Sequence, residues 1–468
     1  MKTTIRAEII DSKSKDNTDA AATAGIAYAG IDCANYESPI DVKTNAMRLR
    51  RFQYVLRKLV LIGAGHLPAR KEWELKLAIA RHLFEDAEQA TALLDRITEL
   101  RVTGNQAQTA PDAVLALFMD EVIHCRSDTE YLLGIYEVVR PELLAAIQAH
   151  LHETQPLVDY PTVRILKFLC LEMEEQIALG KALIAHFVTG AQRSQAAEYL
   201  QNLRDTLERI GGFSGQLPAR KVEARRFRSI SPYTLPPKSA RPDNFGPSLH
   251  YRQPGCLDEK LSDAENAFRE MMKMRQEEMT AAEMVAAVMF ETTEMPWTFY
   301  RTLARHTWDE ARHAAFGQAA LEKHGINWRA TPHYTAEYEM FRGQSPAKAY
   351  AFLALGVETS AMARSGKQHE WQLCRDVFND RLMTLFQDYD WADEVQHARF
   401  GKEWGTAFFD DDFESARAYG EEAWKELLRY RASQEPDRQK YHTAFYMEKF
   451  GKMPMMKATE AVLAADGE

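Results

Sequence analysis

The segment Asp309-Glu310-Ala311-Arg312-His313-Ala314-Ala315-Phe316-Gly317 returns further along the chain as Asp393-Glu394-Val395-Gln396-His397-Ala398-Arg399-Phe400-Gly401, with six of nine positions identical. Each copy carries Glu-x-x-His. On a helix, residues i and i+3 share a face, so carboxylate and imidazole point the same way. Two such helices facing each other bring two Glu and two His to one interior, which is half or more of a two-metal site between helices. A lone Glu-x-x-His is weak evidence, because such pairs are usually solvated. The repeat removes that reading. The small residues in both copies, Ala314 and Gly317, Ala398 and Gly401, are expected to let neighbouring helices approach. Phe316 and Phe400 read as core.

A chain of 468 residues exceeds what one small core needs and points to more than one domain. Its 68 acidic against 58 basic residues disfavour general nucleic-acid binding. The five cysteines are scattered without a Cys-x-x-Cys pair, as expected of reduced thiols in a cytoplasmic protein. The first residues lack the apolar core of a signal peptide, and no run approaches the ~20 apolar residues of a membrane span.

Three-to-four apolar spacing dominates from Trp73 to Leu100, over 112–150 and over 161–188, and alternating strand patterns are scarce. The expected fold class is therefore all-α. Proline crowds 211–260, with Pro218, Pro232, Pro236, Pro237, Pro242, Pro247 and Pro254, so no helix continues there. The reading is a flexible N-terminal arm over 1–40, a helical region over 41–210, a Pro-rich linker over 211–260, a second helical region over 261–435 and a tail over 436–468.

Four helices are expected in the second region, over about 263–294, 297–324, 346–374 and 380–409, with Pro296 ending the first and Gly325 capping the second. A dinuclear carboxylate site needs one further Glu from each of the other two helices. Glu310 lies as far into its helix, counted from Trp297, as Glu283 lies before Pro296, so hairpin geometry selects Glu283. Glu277 and Glu278 read as a turn too deep, and Glu291 as too near the turn. On the third helix Glu358 fits, in an otherwise apolar stretch, and Glu370 fits less well. Four carboxylates would balance two divalent ions. Imidazole with carboxylate suits iron or manganese, with zinc allowed.

On these motifs the second region resembles the ferritin-like superfamily of dinuclear-metal carboxylate proteins. The resemblance covers most of that region. It implies a ferritin-like four-helix bundle holding two iron ions, or iron with manganese, bridged by Glu310 and Glu394. Glu283 and Glu358 would complete the shell, with His313 on one ion and His397 on the other. The implied activity is a dinuclear non-heme iron oxygenase or oxidase that uses dioxygen as co-substrate on a small organic molecule. Its partners would be that substrate and an electron donor, and a homodimer is compatible with the chain. Glu291, Glu294, Tyr300 and Trp308 are candidates for the pocket wall. The alternative is a metal-storage or interaction protein without catalysis.

The first region reads as a second helical bundle, a degenerate copy. Phe84 through Ala90 aligns with Trp308 through Ala314, which puts Asp86 in place of Glu310 and Gln89 in place of His313. Met173 through Gln176, followed by Gly180, aligns with Glu394 through His397, followed by Gly401. The expectation is a scaffold without metal. A different ligand set drawn from His82, Glu85, Glu121, His124, Glu172 and Glu175 is the alternative.

Overall fold

Helix starts along the chain are fixed by side chains that accept otherwise unpaired backbone N–H groups. Asp41 accepts from Thr44 at the head of α1 (Val42–His66). Ser262 and Glu265 form a reciprocal capping box at the head of α8 (Asp263–Gln276). In this computed structural model residues 27–31, 40–217, 226–249, 260–359, 362 and 366–434 are described. Almost all of the expected arm over 1–40 and the whole tail over 436–468 lie outside them.

The protein is all-α. Helix α1 runs into α2 (Trp73–Glu99), followed by α3 (Ala113–Ile123) and α4 (Asp128–Leu133). A π-helical segment, Gly134–Val139, leads from α4 into α5 (Arg140–Glu153). Helices α6 (Tyr160–Phe187) and α7 (Gly190–Arg209) close this part. After the connector come α8, α9 (Met279–Glu291) and α10 (Trp297–Lys323). Short α11 (Ala336–Phe341) and α12 (Pro346–Tyr350) follow, then a π-helical segment, Ala351–Glu358. The last described helices are α13 (Lys367–Gln372), α14 (Arg381–Phe400) and α15 (Phe413–Gln434). Strand pairing among the described residues is confined to Ser248–Leu249 with His333–Tyr334, in parallel.

Two long helices expected from the sequence are broken. The one over 263–294 ends at Gln276, turns at Glu277 and Glu278, and resumes at Met279. The one over 346–374 carries a π segment and restarts at Lys367 after Gly366. Gly325, with φ +69, follows α10 as the expected C-terminal glycine.

The hydrophobic core is continuous from α1 to α15. Helix α2 lies antiparallel to α10. Trp73, first in α2, donates its indole N–H to Gln318 late in α10 (2.7 Å), and Trp297, first in α10, donates to Thr91 late in α2 (2.9 Å). Arg301 adds a two-pronged ion pair to Glu88. The connector is fastened to both regions. Backbone N–H groups of Phe227, Arg228 and Ser229 donate to Glu121, Tyr338 donates to Pro236 O, and Gly246 N donates to Arg329 O.

Candidate metal centre

Helix α10 carries His306, Glu310 and His313 at i, i+4 and i+7, one continuous face. Helix α14 carries Asp390, Glu394 and His397 at the same spacing. Glycine brings the neighbouring elements close. A Cβ on Gly317 would stand 2.1 Å from Gln276 N, and one on Gly401 would stand 2.7 Å from Ala354 Cβ. The first contact seats the Glu277–Glu278 turn against α10, and the second seats the Glu358 segment against α14.

Five of the six residues singled out in the sequence come together: Glu310, His313, Glu358, Glu394 and His397. They fall into close-set groups of potential ligand atoms. His306, Glu310, Glu358 and His397 form one; Glu278, His313 and Asp390 form another; Glu394 joins Glu310 and His313 in a third. All are buried. One oxygen of Glu310 faces all three imidazoles, 3.6 Å from His306 Nε2, 3.1 Å from His397 Nδ1 and 4.0 Å from His313 Nδ1. Glu358 lies 2.8 Å from His306 Nε2. Glu278 and Asp390 lie 3.4 and 3.3 Å from His313 Nδ1.

The sixth residue, Glu283, is not brought to the others. Its carboxylate is fully buried but bound by Lys76 Nζ at 2.7 Å and by both Nη atoms of Arg241 at 2.7 and 3.1 Å. Those two cations outweigh the effect of burial and hold its pKa below the ordinary value. Glu278 lies instead in a group with His313 and Asp390. The helix ends at Glu291, not at Pro296, and the same distance counted back from Glu291 reaches Glu278. The sequence reading counts the five residues of the connection as helix.

That reading also passes over His306 and Asp390. They occupy equivalent positions, one turn before Glu310 and Glu394, just outside the nine-residue repeat. Extending the repeat by a turn finds both. Of the proposed pocket residues, Glu291 pairs with Arg342 at the surface and Tyr300 donates to Thr292 O. Glu294 is exposed and Trp308 half-buried.

The two aspartates of the repeat brace the histidines crosswise. Asp393 of α14 lies 3.3 Å from Nε2 of His313, and Asp309 of α10 lies 3.5 Å from Nε2 of His397. Nδ1 of each ring faces the interior; Nε2 of His313 is hydrogen-bonded to Asp393, whereas Nε2 of His397 lies beside Asp309 without a hydrogen bond. Arg312 spans both aspartates at 2.5 and 2.7 Å, and Arg305 binds Asp309.

Electrostatics follow from burial. Desolvation alone would lower the His313 pKa, but Asp390, Asp393 and Glu278 outweigh it and push it up to about 10. His397 is likewise raised, against burial, by Asp309, Glu310 and Glu394, and His306 by Glu358 and Glu310. Burial would raise Glu310, yet His306 and His397 hold it well below the usual carboxylate range. Burial raises Glu278, against the pull of Arg275 and Lys367.

The donor set fits divalent cations. His313 Nδ1, His397 Nδ1 and one oxygen each of Glu278, Glu358 and Glu394 are buried without a hydrogen-bond partner. Buried polar atoms are nearly always paired, so such atoms converging on one interior could hold a cation. The donors are imidazole nitrogens and carboxylate oxygens without a thiolate, which suits iron, manganese or zinc.

In the first region the residues aligned with the cluster are bound by an arginine. Arg140 binds Asp86 through both Nη atoms (2.9 and 2.8 Å) and donates to Gln176 Oε1 at 2.5 Å, while Gln176 donates to Glu85. Asp86 and Gln176 are the residues aligned with Glu310 and His397. His82, four residues before Asp86, sits 2.7 Å from the Tyr136 hydroxyl, as His306, four before Glu310, sits 3.4 Å from that of Tyr350. Among the described residues no close-set group of metal-ligating side chains lies in 40–210. The alternative ligand set is dispersed onto other partners: Glu121 onto the connector backbone, His124 onto Asp120 O and Ser231 O, Glu172 onto Gln89, Glu175 onto Arg81.

Comparisons with protein-family models, with curated proteins and with solved structures gave no match to this chain. No helix among the described residues is long and apolar enough to cross a membrane.

Proposed function

We propose that the chain is a dinuclear non-heme metal oxidoreductase, built on a ferritin-like bundle, that uses dioxygen to oxidise a small organic substrate. The observation that carries this reading is the Glu310 oxygen faced by three imidazoles, inside a shell of buried carboxylates whose remaining oxygens lack partners. His306, Glu310, Glu358 and His397 would hold one ion, and Glu278, His313, Asp390 and Glu394 the other. A pair of redox-active ions held there, iron or iron with manganese, would supply electrons for dioxygen reduction.

The protein's own part is positioning, charge and dryness. Asp393 holds the inward rotamer of His313 by a hydrogen bond, Asp309 faces His397 from the opposite helix, and Arg312 and Arg305 neutralise these aspartates so that their charge does not add to the interior. Full burial of the histidines excludes bulk water from the donor atoms. The Tyr350 hydroxyl beside His306 Nδ1 offers a proton-bearing group next to the shell. An external electron donor is required.

Protein produced in iron-rich medium, analysed for metal and then given a pulse of dioxygen under otherwise anaerobic conditions, tests the reading. About two metal ions per chain and a transient visible absorbance on the pulse support it. Many irons per chain would point to storage, and none to a scaffold.

A further inference from the structure

The two halves of the cluster differ in what already neutralises them. Around Glu310 and Glu358 the basic groups within 4 Å, among the described residues, are imidazoles. In the other half two permanent cations reach in. Lys367 places Nζ 2.8 Å from Asp390, 2.8 Å from Glu394 and 3.9 Å from Glu278. Arg275 places Nη1 2.9 Å from both oxygens of Asp390 and 2.9 Å from Glu278. Lys367 is 5% exposed, so its charge is held there by these carboxylates and not by water.

The two cations are anchored differently. Arg275 projects from the last turn of α8 and has several carboxylate partners, Glu370 among them at 3.6 Å. Lys367 is the first residue of a separate short helix, immediately after Gly366, where the third helix of this region is broken. A long flexible stem at that position can retract its ammonium without moving α10 or α14, which carry the histidines.

We propose that Lys367 is a built-in cation of the second metal position, and that the centre fills in two unequal steps. A divalent ion first takes the place framed by His306, Glu310, Glu358 and His397. A second ion enters among Glu278, His313, Asp390 and Glu394 only as the Lys367 ammonium withdraws from Asp390 and Glu394. Lys367 is thus a positioning residue that sets the occupancy of the second site. The inference rests on the metal-binding reading above. Charge supports it: Glu310 and Glu358 together balance one divalent ion with neutral imidazoles, whereas Lys367 and Arg275 already offset two of the three charges on Glu278, Asp390 and Glu394.

The test uses the full chain freed of metal by chelation and titrated with Mn2+, followed by calorimetry and by electron paramagnetic resonance. Wild type is expected to bind one equivalent with the signal of an isolated ion, and a second at least about tenfold more weakly. K367M is expected to tighten the second step by at least about tenfold, to bring in a spin-coupled signal at two equivalents, and to leave the first step unchanged. K367R is expected to keep the wild-type pattern. Because Asp390 retains Arg275, K367M is expected to fold, and the wild-type titration is a test in its own right. Two equivalents of equal affinity in wild type, or a second step indifferent to K367M, overturns the inference and leaves the metal reading standing. No Mn2+ bound by either protein overturns both.

Discussion

Helices α2 and α10, which the residue alignment sets side by side, reach opposite electrostatic states. In the first, Asp86 and Gln176 close on the guanidinium of Arg140. In the second, Glu310 and His397, their counterparts, face an interior where ligand atoms are left unpaired. The imidazoles record the difference. His82 is lowered by burial and by Arg140 and Arg81, whereas His306, at the matching position, is raised against burial by Glu358. On α6, Leu169 and Met173 stand where α14 has Asp390 and Glu394. A carboxylate-lined interior between helices thus needs a cation. One region supplies it covalently, as a side chain. The other has side-chain cations, Lys367 and Arg275, on one half of its carboxylates, and on the half around Glu310 and Glu358 it has imidazoles and a group of donor atoms that could hold an ion.

The largest expected effect breaks the comparison at its centre. Arg140→Ala leaves Asp86 buried without its partner and is expected to cost about 3–5 kcal/mol in denaturant unfolding. Adding Asp86→Leu to an Arg140→Met background is expected to recover most of that loss. An Arg140→Ala protein as stable as wild type would mean the guanidinium does not fill a cation's role.

Glu283→Gln is expected to lower stability by about 3 kcal/mol, because Lys76 and Arg241 lose a buried countercharge. Metal content should be unchanged. Glu278→Gln is expected to do the reverse, weakening metal binding with little change in stability. Metal analysis beside thermal melts of the two variants decides which glutamate belongs to the centre.

Asp309→Asn and Asp393→Asn are each expected to weaken metal binding roughly 10–100-fold, since each aspartate faces one imidazole of the opposite helix. Competition against a chelator of known affinity measures this. No effect from either substitution would remove the crossed bracing from the account.

The smallest effect is the pH dependence of the metal-free protein. His313 has its folded pKa raised from 6.5 to about 10, so the folded state binds the extra proton between those values. Its contribution is complete below pH 6.5 and is lost as pH rises toward 10. His150, lowered to about 4 by burial and by Arg48, has the opposite sign. Its contribution is complete above pH 6.5 and is lost as pH falls toward 4. Hydrogen exchange resolved along the chain should show α10 loosening on the alkaline side and α5 on the acid side.

Much of this is legible in residue order. The repeat places two Glu-x-x-His faces on two helices, and Glu358 stands out as a carboxylate in an apolar stretch. The glycines of the repeat are points of close approach. What escapes depends on where helices stop. Residue counting favours Glu283 over Glu278 because the turn at 292–296 reads as helix, a shift of five residues that carries a side chain to another face and depth. His306 and Asp390 differ in type, so the identity that draws attention to the repeat stops short of them. Lys367 reaches the cluster because the chain breaks at Gly366, and nothing in the apolar spacing marks that break. Arg140, remote in sequence from both aligned segments, arrives through the π-helical segment before it.

The exchange of braces between α10 and α14 has a mechanical consequence. Since each imidazole faces an aspartate rooted in the other helix, sliding the two helices past one another would turn both rings away from their inward pose together. A shift of one helix along the other therefore acts on both rings and not on one alone. Rigidity at this one helix pair is thus shared between the surroundings of His313 and His397.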